Sequence, residues 1–203
     1  MALRNASPSF DHWLGTDKMG RDIFVRILFG ARISLAVGCL AAVINLIVGT
    51  IYGGIAGYVG GKVDMIMMRV VDIIYSVPSM LYIVLIMLIF GASVVSIMLG
   101  ISITCWIDMA RIVRQQVKSL KEQEFTMAAF VLGAGSSRIL LKHLLINTMG
   151  QIIVTVTLMV PQAIFTEAWL SFLGVGISAP MASWGTLAQD ARELIMKIGR
   201  AHV

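Results

Sequence analysis

Residues 124–147 read EFTMAAFVLGAGSSRILLKHLLIN and form a charged island between long apolar stretches of the chain. The island contains a pair of small residues, Ala128-Ala129, followed by a glycine turn that begins at Gly133. Its charged and titratable residues, with those that lead into it, are Lys118, Lys121, Glu122, Glu124, Arg138, Lys142 and His143. We expect a short helix, a turn and a second helix here, set between two membrane spans, as a docking surface for a partner outside the bilayer.

The sequence around the island is typical of a membrane protein. Of its 203 residues, 58% are hydrophobic and only 13% are charged, whereas a soluble domain is about one-quarter charged. Residues 33–59 and 144–166 carry no charge, and each run is long enough to cross the roughly 30 Å hydrocarbon core. Residues 73–107 are also uncharged and fit two spans, broken near Gly91. The sequence therefore predicts an all-α integral membrane protein with about four spans.

Several residues inside these runs predict how the helices pack. A ladder of glycines at every fourth position comprises Gly49, Gly53, Gly57 and Gly61. Such a ladder puts a flat strip on one helix face, so that another backbone can approach closely. Asn45 lies in the same uncharged run and is expected to hydrogen-bond a neighbouring helix. Pro78 is expected to kink the helix that contains it.

The charge distribution predicts the orientation of the chain. Residues 1–32 are expected to form an extracytoplasmic amphipathic lead-in, with residues 22–32 as a helix on the membrane surface. Counts of Lys and Arg in alternate loops place the island on the cytoplasmic side, where basic residues concentrate. The net charge of +5 is attributed to contact with lipid. Nucleic acid is not expected as a partner, because no basic patch is interleaved with exposed aromatic side chains.

The acidic residues near the spans are the candidates for polar function. Glu167 directly follows the last uncharged run, and acids at membrane depth are functional candidates by default. It is expected to line a pathway, to pair across a subunit interface or to hold the fold, and the last of these is favoured. Asp72 and Asp108 are expected to pair with Arg69 and Arg111 near the span ends. No metal site is predicted from the residue spacing, and the absence of GxxxxGK[ST] predicts that the chain does not bind ATP.

Three stretches resemble one family of transporters. EFTMAAFVLGA followed by HLLIN resembles the EAA loop of ABC-importer permeases. HWLGTDKMGRDIFVRILFGARISL and EAWLSFLGVGISAPMASWG resemble the C-type permease subunit of peptide importers, in the group that handles dipeptides, oligopeptides and nickel. The resemblance covers residues 10–196. It implies the transmembrane domain of a type I ABC importer at residues 33–196, with a cytoplasmic EAA coupling loop at residues 118–147.

The resemblance also implies partners and roles. Two permease subunits would form the pore, each would dock an ATPase subunit that holds ATP and Mg²⁺, and an extracytoplasmic binding protein would deliver the substrate. This chain would be a non-enzymatic pore subunit for peptides, without a cofactor of its own, in the plasma (inner) membrane of a bacterium or archaeon. The ATPase-coupling positions implied are Glu124, Ala128, Ala129, Gly133, Arg138 and His143. In this reading the alanines remove bulk, so that the short helix can enter a cleft on the ATPase.

Three alternatives stay open at this point. The same family includes carriers of nickel or another small solute. A secondary transporter or channel is a different class, which predicts inverted repeats, broken helices or a central proton relay, and the sequence shows no repeat and no central chain of acids. A membrane scaffold that binds a soluble partner through the island, without transport, is the third alternative.

The resemblance bears on the two ends of the chain as well. The family has six spans per subunit, the first of them before the GTDKMGRD segment, so the chain is expected to be truncated at both ends and to hold native spans two to five. Residues 197–203, KIGRAHV, correspond to the translation of a common sequencing adapter. We predict that they are an artefact and that the natural chain continues past Met196.

Re-amplifying the locus and sequencing across this end is expected to give a different codon run after Met196. A genuine KIGRAHV run in the genome would contradict the prediction.

Overall fold

A computed structural model describes residues 4–173, 176 and 181–201, and for residues 193–201 it describes the backbone alone. Parts of the EAWLSFLGVGISAPMASWG stretch and of the KIGRAHV tail lie outside the described residues. The helices are α1 (Ile23–Ile44), α2 (Thr50–Val59), α3 (Gly61–Tyr75), α4 (Ser79–Phe90), α5 (Val94–Thr104), α6 (Ile107–Lys121), α7 (Glu124–Val131), α8 (Ser136–Arg138), α9 (Leu145–Phe172) and α10 (Trp184–Ala201). Two π-helical segments, Asn45–Gly49 and Ile139–Leu144, join α1 to α2 and α8 to α9.

The helices confirm the predicted all-α membrane fold. Within the described ranges, three continuous stretches are long and apolar enough to cross a membrane: Ile23–Val59, Val94–Lys121 and Ser136–Phe172. The fourth candidate is the pair α3 and α4, which is bent by 70° at the intervening break. Counting this bent pair as one span gives the predicted four.

The first span begins earlier than the charge pattern predicts. Asp22 caps α1, because its side chain accepts a hydrogen bond from the backbone N–H of Val25 at 3.0 Å. The helix then passes Arg32 without a break and ends only at Gly60, where φ is 73°. The helix expected at residues 22–32 is therefore present, but it is the start of a longer helix that continues into the uncharged run. Charged side chains interrupt the apolar surface of a helix, but they do not interrupt its backbone geometry.

The other breaks lie at turn residues. Gly91 has a φ of 83°, and the side chain of Ser93 then caps α5 by accepting from the backbone N–H of Ser96 at 3.1 Å. Pro78 stands in the break between α3 and α4, immediately before the first residue of α4, and the span bends by 70° there. The expected kink is therefore present, at the start of a helix instead of within one. A proline lacks the N–H that a helix interior needs, and it is tolerated where a helix starts.

The glycine ladder lets α2 and α6 pack backbone against backbone. A β-carbon at Gly49 would lie 2.6 Å from Cβ of Met109, and one at Gly57 would lie 2.6 Å from the carbonyl oxygen of Arg114. Gly53 lies closer still to α6, against the carbonyl of Ala110. The fourth member does not pack in this way. Gly61 has a φ of 55° and open space around its Cα, so it serves the turn between α2 and α3.

Two apolar clusters flank this contact. One joins α1, α4, α5 and α9, and its buried members are Val37, Ala41, Ile83, Met87, Ile97, Ile101, Cys105, Met159, Ala163 and Leu170. The other joins α6 to the island and to α9, and its buried members are Met109, Val113, Val117, Ala129, Ile139, Leu144 and Ile152. The second cluster places the island directly on the core of the membrane domain.

Asn45 does not behave as the sequence predicts. Its side chain is fully buried at the start of the π-helical turn, and neither its amide nitrogen nor its amide oxygen has a hydrogen-bond partner among the described residues. The expected bond to a neighbouring helix is therefore absent from the part of the chain that the structure describes.

The glycine contact can be tested with two matched substitutions. Gly53→Ala should lower the free energy of unfolding by about 1–3 kcal/mol, because the new methyl group meets the α6 backbone. Gly150→Ala in α9 should leave it unchanged or raise it slightly, since nothing lies within 4 Å of a β-carbon there and alanine favours helix. Unfolding of the purified protein in mixed micelles measures both. Equal effects would contradict a backbone contact at Gly53.

Candidate functional site

The island folds into a short helix that ends at a glycine. Helix α7 is held to α6 at its start, where the hydroxyl of Thr126 donates to the carbonyl of Leu120 at 2.8 Å. At its end the N–H of Gly133 donates to the carbonyl of Phe130, and the N–H of Ala134 donates to that of Ala129, both at 3.0 Å. This pair of bonds is a Schellman motif. Gly133 occupies its left-handed position with a φ of 80°, so the predicted reversal of the chain is confirmed.

Helix α7 exposes apolar side chains where sequence reasoning emphasised charge. Met127 is 63% exposed, Val131 84% and Leu132 87%, and Phe130 is exposed beside them. Together with Tyr58, Lys121, Thr126 and Ile139, three of these residues (Met127, Phe130 and Val131) line a groove of about 610 Å³. We call the four side chains of Met127, Phe130, Val131 and Leu132 the apolar face of the island. A contiguous exposed apolar surface of this kind marks a contact surface.

The apolar face of the island could have been predicted from the sequence of α7. EFTMAAFVL is apolar almost all the way round a helix, and such a helix needs a cover on more than one side. Thr126 and Ala129 turn inward, while the apolar face turns outward. Ala129 is 9% exposed and packs into the cluster beneath the island, so only Ala128 of the predicted pair lies on the surface. The two alanines therefore lie on different sides of the helix, and the prediction that they remove bulk for docking applies directly to Ala128.

The predicted charged positions of the island lie on its surface. Glu124 is the first residue of α7, and Arg138 lies at the end of α8, both with exposed side chains. His143 lies in the π-helical segment that follows and is partly buried. Among the described residues, none of these three side chains forms a hydrogen bond or ion pair. The structure does not bring them together into one cluster, and they remain available to a molecule outside the chain.

A buried ion pair fixes α6, the helix that carries the island. Asp64 of α3 is 5% exposed and receives two hydrogen bonds from the guanidinium of Arg114, one of them from Nη2 at 2.6 Å. Lys118 approaches the same carboxylate at 3.5 Å. One turn further on, Lys121 donates to the carbonyl of Tyr58 at 2.6 Å. These contacts tie α6 to α3 and to the end of α2.

The acids near Arg111 pair differently from the prediction. Nη2 of Arg111 donates to Oδ1 of Asp72 at 3.0 Å, and the guanidinium lies 4.2 Å from the ring centroid of Tyr75. The expected pairs, Asp72 with Arg69 and Asp108 with Arg111, are therefore wrong. The long side chain of Arg111 in α6 reaches across to Asp72 in α3, which is 39 residues away in sequence. Asp108 is left without an ionic partner among the described residues.

Glu167 is enclosed within the chain. Its side chain is 0% exposed. Oε2 accepts from the hydroxyl of Ser34 in α1 at 3.0 Å, and Oε1 accepts from the hydroxyl of Ser171 in α9 at 2.8 Å. The hydroxyl of Ser34 also accepts from the backbone N–H of Trp184 at 3.3 Å. Glu167 thus links α1, α9 and the start of α10, which favours the reading that it holds the fold.

The segment before α1 forms an ionic cluster with α10. Arg26 donates to Oδ2 of Asp17 at 2.8 Å and to Oδ2 of Asp190 at 3.0 Å, and Lys18 lies 3.5 Å from Asp190. Burial of Asp17 opposes its ionisation. The backbone N–H and guanidinium of Arg21 and the N–H of Met19 outweigh that effect, so the pKa of Asp17 lies below its ordinary value. The ionised cluster therefore stabilises the fold above about pH 4 and loses that stability as the pH falls further.

The described residues offer no obvious place for a metal ion. In residues 4–173, 176 and 181–192, no three His, Cys, Asp or Glu side chains lie close enough together to hold one.

The chain is similar to known transport proteins. The family described as "Binding-protein-dependent transport system inner membrane component" matches residues 49–194. The oligopeptide transport system permease protein of Bacillus subtilis (strain 168) is 55% identical over 183 residues, and the dipeptide transport system permease protein of the same organism is 51% identical over 193. The oligopeptide transport system permease protein of Escherichia coli (strain K12) is 44% identical over 191 residues.

These matches cover most of the chain but only part of each relative. They include 90%, 95% and 93% of this chain, in the same order, and 60%, 60% and 63% of the three relatives. The chain thus spans less than two-thirds of the length of these relatives.

The contribution of the Asp64–Arg114 ion pair to stability can be compared with that of the more exposed Asp72–Arg111 pair. Asp64→Asn should destabilise the fold by about 2–4 kcal/mol, because the Asp64 side chain is 7% exposed and its loss strands the guanidinium of Arg114. Asp72→Asn, at a side chain that is 54% exposed, should cost at most about 1 kcal/mol. Unfolding of both variants in mixed micelles provides the comparison. Equal losses would show that Asp64 does not anchor α6.

Proposed function

The chain belongs to the family of binding-protein-dependent transport system inner membrane components, and from this premise we propose that it is a pore-forming permease subunit of an ATP-driven peptide importer. The observation that carries the proposal is helix α7, which leaves the membrane helices between two spans and exposes an apolar face to a partner. Relatives named for oligopeptide and dipeptide transport support peptides as the cargo.

The island is the coupling element in this proposal. An ATPase subunit receives α7 in a cleft, and the apolar face of the island fills that cleft. Because Met127, Phe130 and Val131 line an open groove, docking removes apolar surface from water, at about 25 cal/mol per Å² buried. Glu124, Arg138 and His143 lie on the same island and supply polar contacts that orient the partner.

Movement of the docked partner reaches the spans through two rigid connections. Thr126 and Ala129 join α7 to α6 and to the cluster beneath it. Asp64 and the glycine ladder then join α6 to α3 and α2. Protein cores are close-packed and transmit displacement instead of absorbing it. A tilt imposed on α7 therefore moves α2, α3 and α6 together, and it turns the chain between inward-open and outward-open arrangements.

The proposal assigns the remaining components of the transporter. A second permease subunit completes the pore, one or two ATPase subunits bind ATP and Mg²⁺, and an extracytoplasmic binding protein delivers peptides. The chain lies in the plasma (inner) membrane of a bacterium or archaeon, with the island in the cytoplasm. The Schellman turn returns the chain from α7 directly into the span Ser136–Phe172, so the island joins two neighbouring spans on one side of the membrane in this proposal.

Two matched substitutions test the coupling. Met127 and Met19 are both exposed, at 63% and 55%. They lie at opposite ends of the first span. Met127 and Tyr58, which is near the end of that span, line the same groove, whereas Met19 precedes the start of the span. Met127→Asp should reduce co-purification of the ATPase and peptide-stimulated ATP hydrolysis at least tenfold, because a buried unpaired carboxylate costs more than about 1.4 kcal/mol. Met19→Asp should leave ATPase association unchanged.

The experiment uses the full-length chain expressed with the subunits encoded beside it, and abundance in the membrane is measured for every variant. Retained association and retained uptake in Met127→Asp would overturn coupling through the island. Uptake of radiolabelled nickel in place of trialanine by the unaltered transporter would overturn peptides as the cargo.

A further inference from the structure

A cavity of about 460 Å³ opens beside the break between α3 and α4, away from the island. Helices α5, α6 and α9 form its other walls. Its lining mixes apolar side chains with six polar ones that lie outside any apolar cluster: Ser76, Ser79, Thr104, Asp108, Gln162 and Thr166. Cavities of this size with a few convergent polar groups are typical of sites for small molecules.

The depth of the cavity follows from the glycine contact. Gly49 packs against Met109 and the carbonyl of Trp106, so Asp108 lies level with Gly49. Gly49 is ten residues before Val59, the end of the uncharged run, which places it roughly 15 Å from that end at 1.5 Å per residue. Asp108 therefore lies roughly 15 Å along the first span from its charged end, level with the middle of α9, instead of at a span end as the charge pattern predicts.

Asp108 is the only carboxylate in the described lining of this cavity. Its side chain is exposed, and it forms no hydrogen bond or ion pair within the part of the chain that the structure describes. Arg111, one turn away, is held by Asp72 instead. A carboxylate facing lipid without a partner is costly, and acids at this depth face a water-filled cavity or a partner charge. Its position in the first turn of α6 is also favourable for a negative charge.

Resting on the proposed function, we infer that this cavity is the chain's part of the peptide pathway and that Asp108 attracts the α-ammonium group of the cargo. A peptide at neutral pH carries one such group whatever its side chains, since α-amino groups titrate near pH 8. One carboxylate among neutral polar groups therefore attracts any peptide without discriminating between the side chains of different peptides. No strong partner holds the cargo, so it can leave the site again.

The charge of the cavity can be measured with a cysteine placed in its wall. Thr104→Cys is introduced into a full-length chain from which every native cysteine has been replaced, including Cys39→Ser and Cys105→Ala. The rates at which the introduced thiol is modified by a cationic and an anionic methanethiosulfonate reagent are compared in membranes. Adding Asp108→Asn should lower the cation-to-anion rate ratio about tenfold, because one charge in a low-dielectric cleft concentrates counter-ions.

Two further variants serve as controls. Asp108→Glu should retain the high ratio. Glu122→Gln removes the same charge from the exposed end of α6, roughly 21 Å further along the helix and beyond the Debye length of about 10 Å, so it should leave the ratio unchanged. An unchanged ratio in Asp108→Asn, or an introduced thiol that reacts with neither reagent, would overturn the inference.

The ligand class is tested on the same introduced thiol in the complete transporter. Trialanine should slow its modification, N-acetyl-trialanine should do so about tenfold less effectively, and Asp108→Asn should abolish the difference. Equal protection by both peptides in the protein that retains Asp108 would show that the ammonium group is not recognised. Failure of the unaltered transporter to take up any peptide would contradict the proposed function instead. The cation-to-anion ratio of modification rates is measured without peptide, so it tests the charge of Asp108 independently.

Discussion

The approach of α2 to α6 is the contact on which the rest of the structure depends. Gly49, Gly53 and Gly57 present only backbone to α6, so the two helices meet at a distance that any side chain would prevent. This contact sets the height of α6 relative to the first span. It thereby places Arg114 opposite Asp64 at one end and the wall of the polar cavity at the other.

The contact between α2 and α6 also determines where the island lies. Because α6 is fixed against α2 and pinned to α3 by Asp64, the short helix α7 starts from a rigid base. Its apolar face can therefore point outward without rearranging the spans. A docking helix on a flexible loop would absorb a partner's movement, whereas this one shares an apolar cluster with α6 and α9.

The residues differ in how well their roles could be predicted from sequence. Charge-free runs, Gly133 and the turn at Gly91 were predicted correctly, because span length and left-handed backbone depend on local chemistry. Pairings between helices were not. Arg111 meets Asp72 instead of Asp108, Ala129 faces inward and Asn45 finds no polar neighbour, since each outcome depends on the relative heights of helices that are distant in sequence. The coupling role of the island stays a prediction.

The bond between Ser34 and Glu167 has a consequence for how the protein is made. It joins residues 133 positions apart, one in the first span and one in the last. At about 5–20 residues per second, the ribosome reaches Glu167 roughly 7 to 27 seconds after Ser34. During that interval the first span rests in the bilayer without its polar partner. The contact between α1 and α9 through this buried carboxylate therefore forms only after α9 has been synthesised.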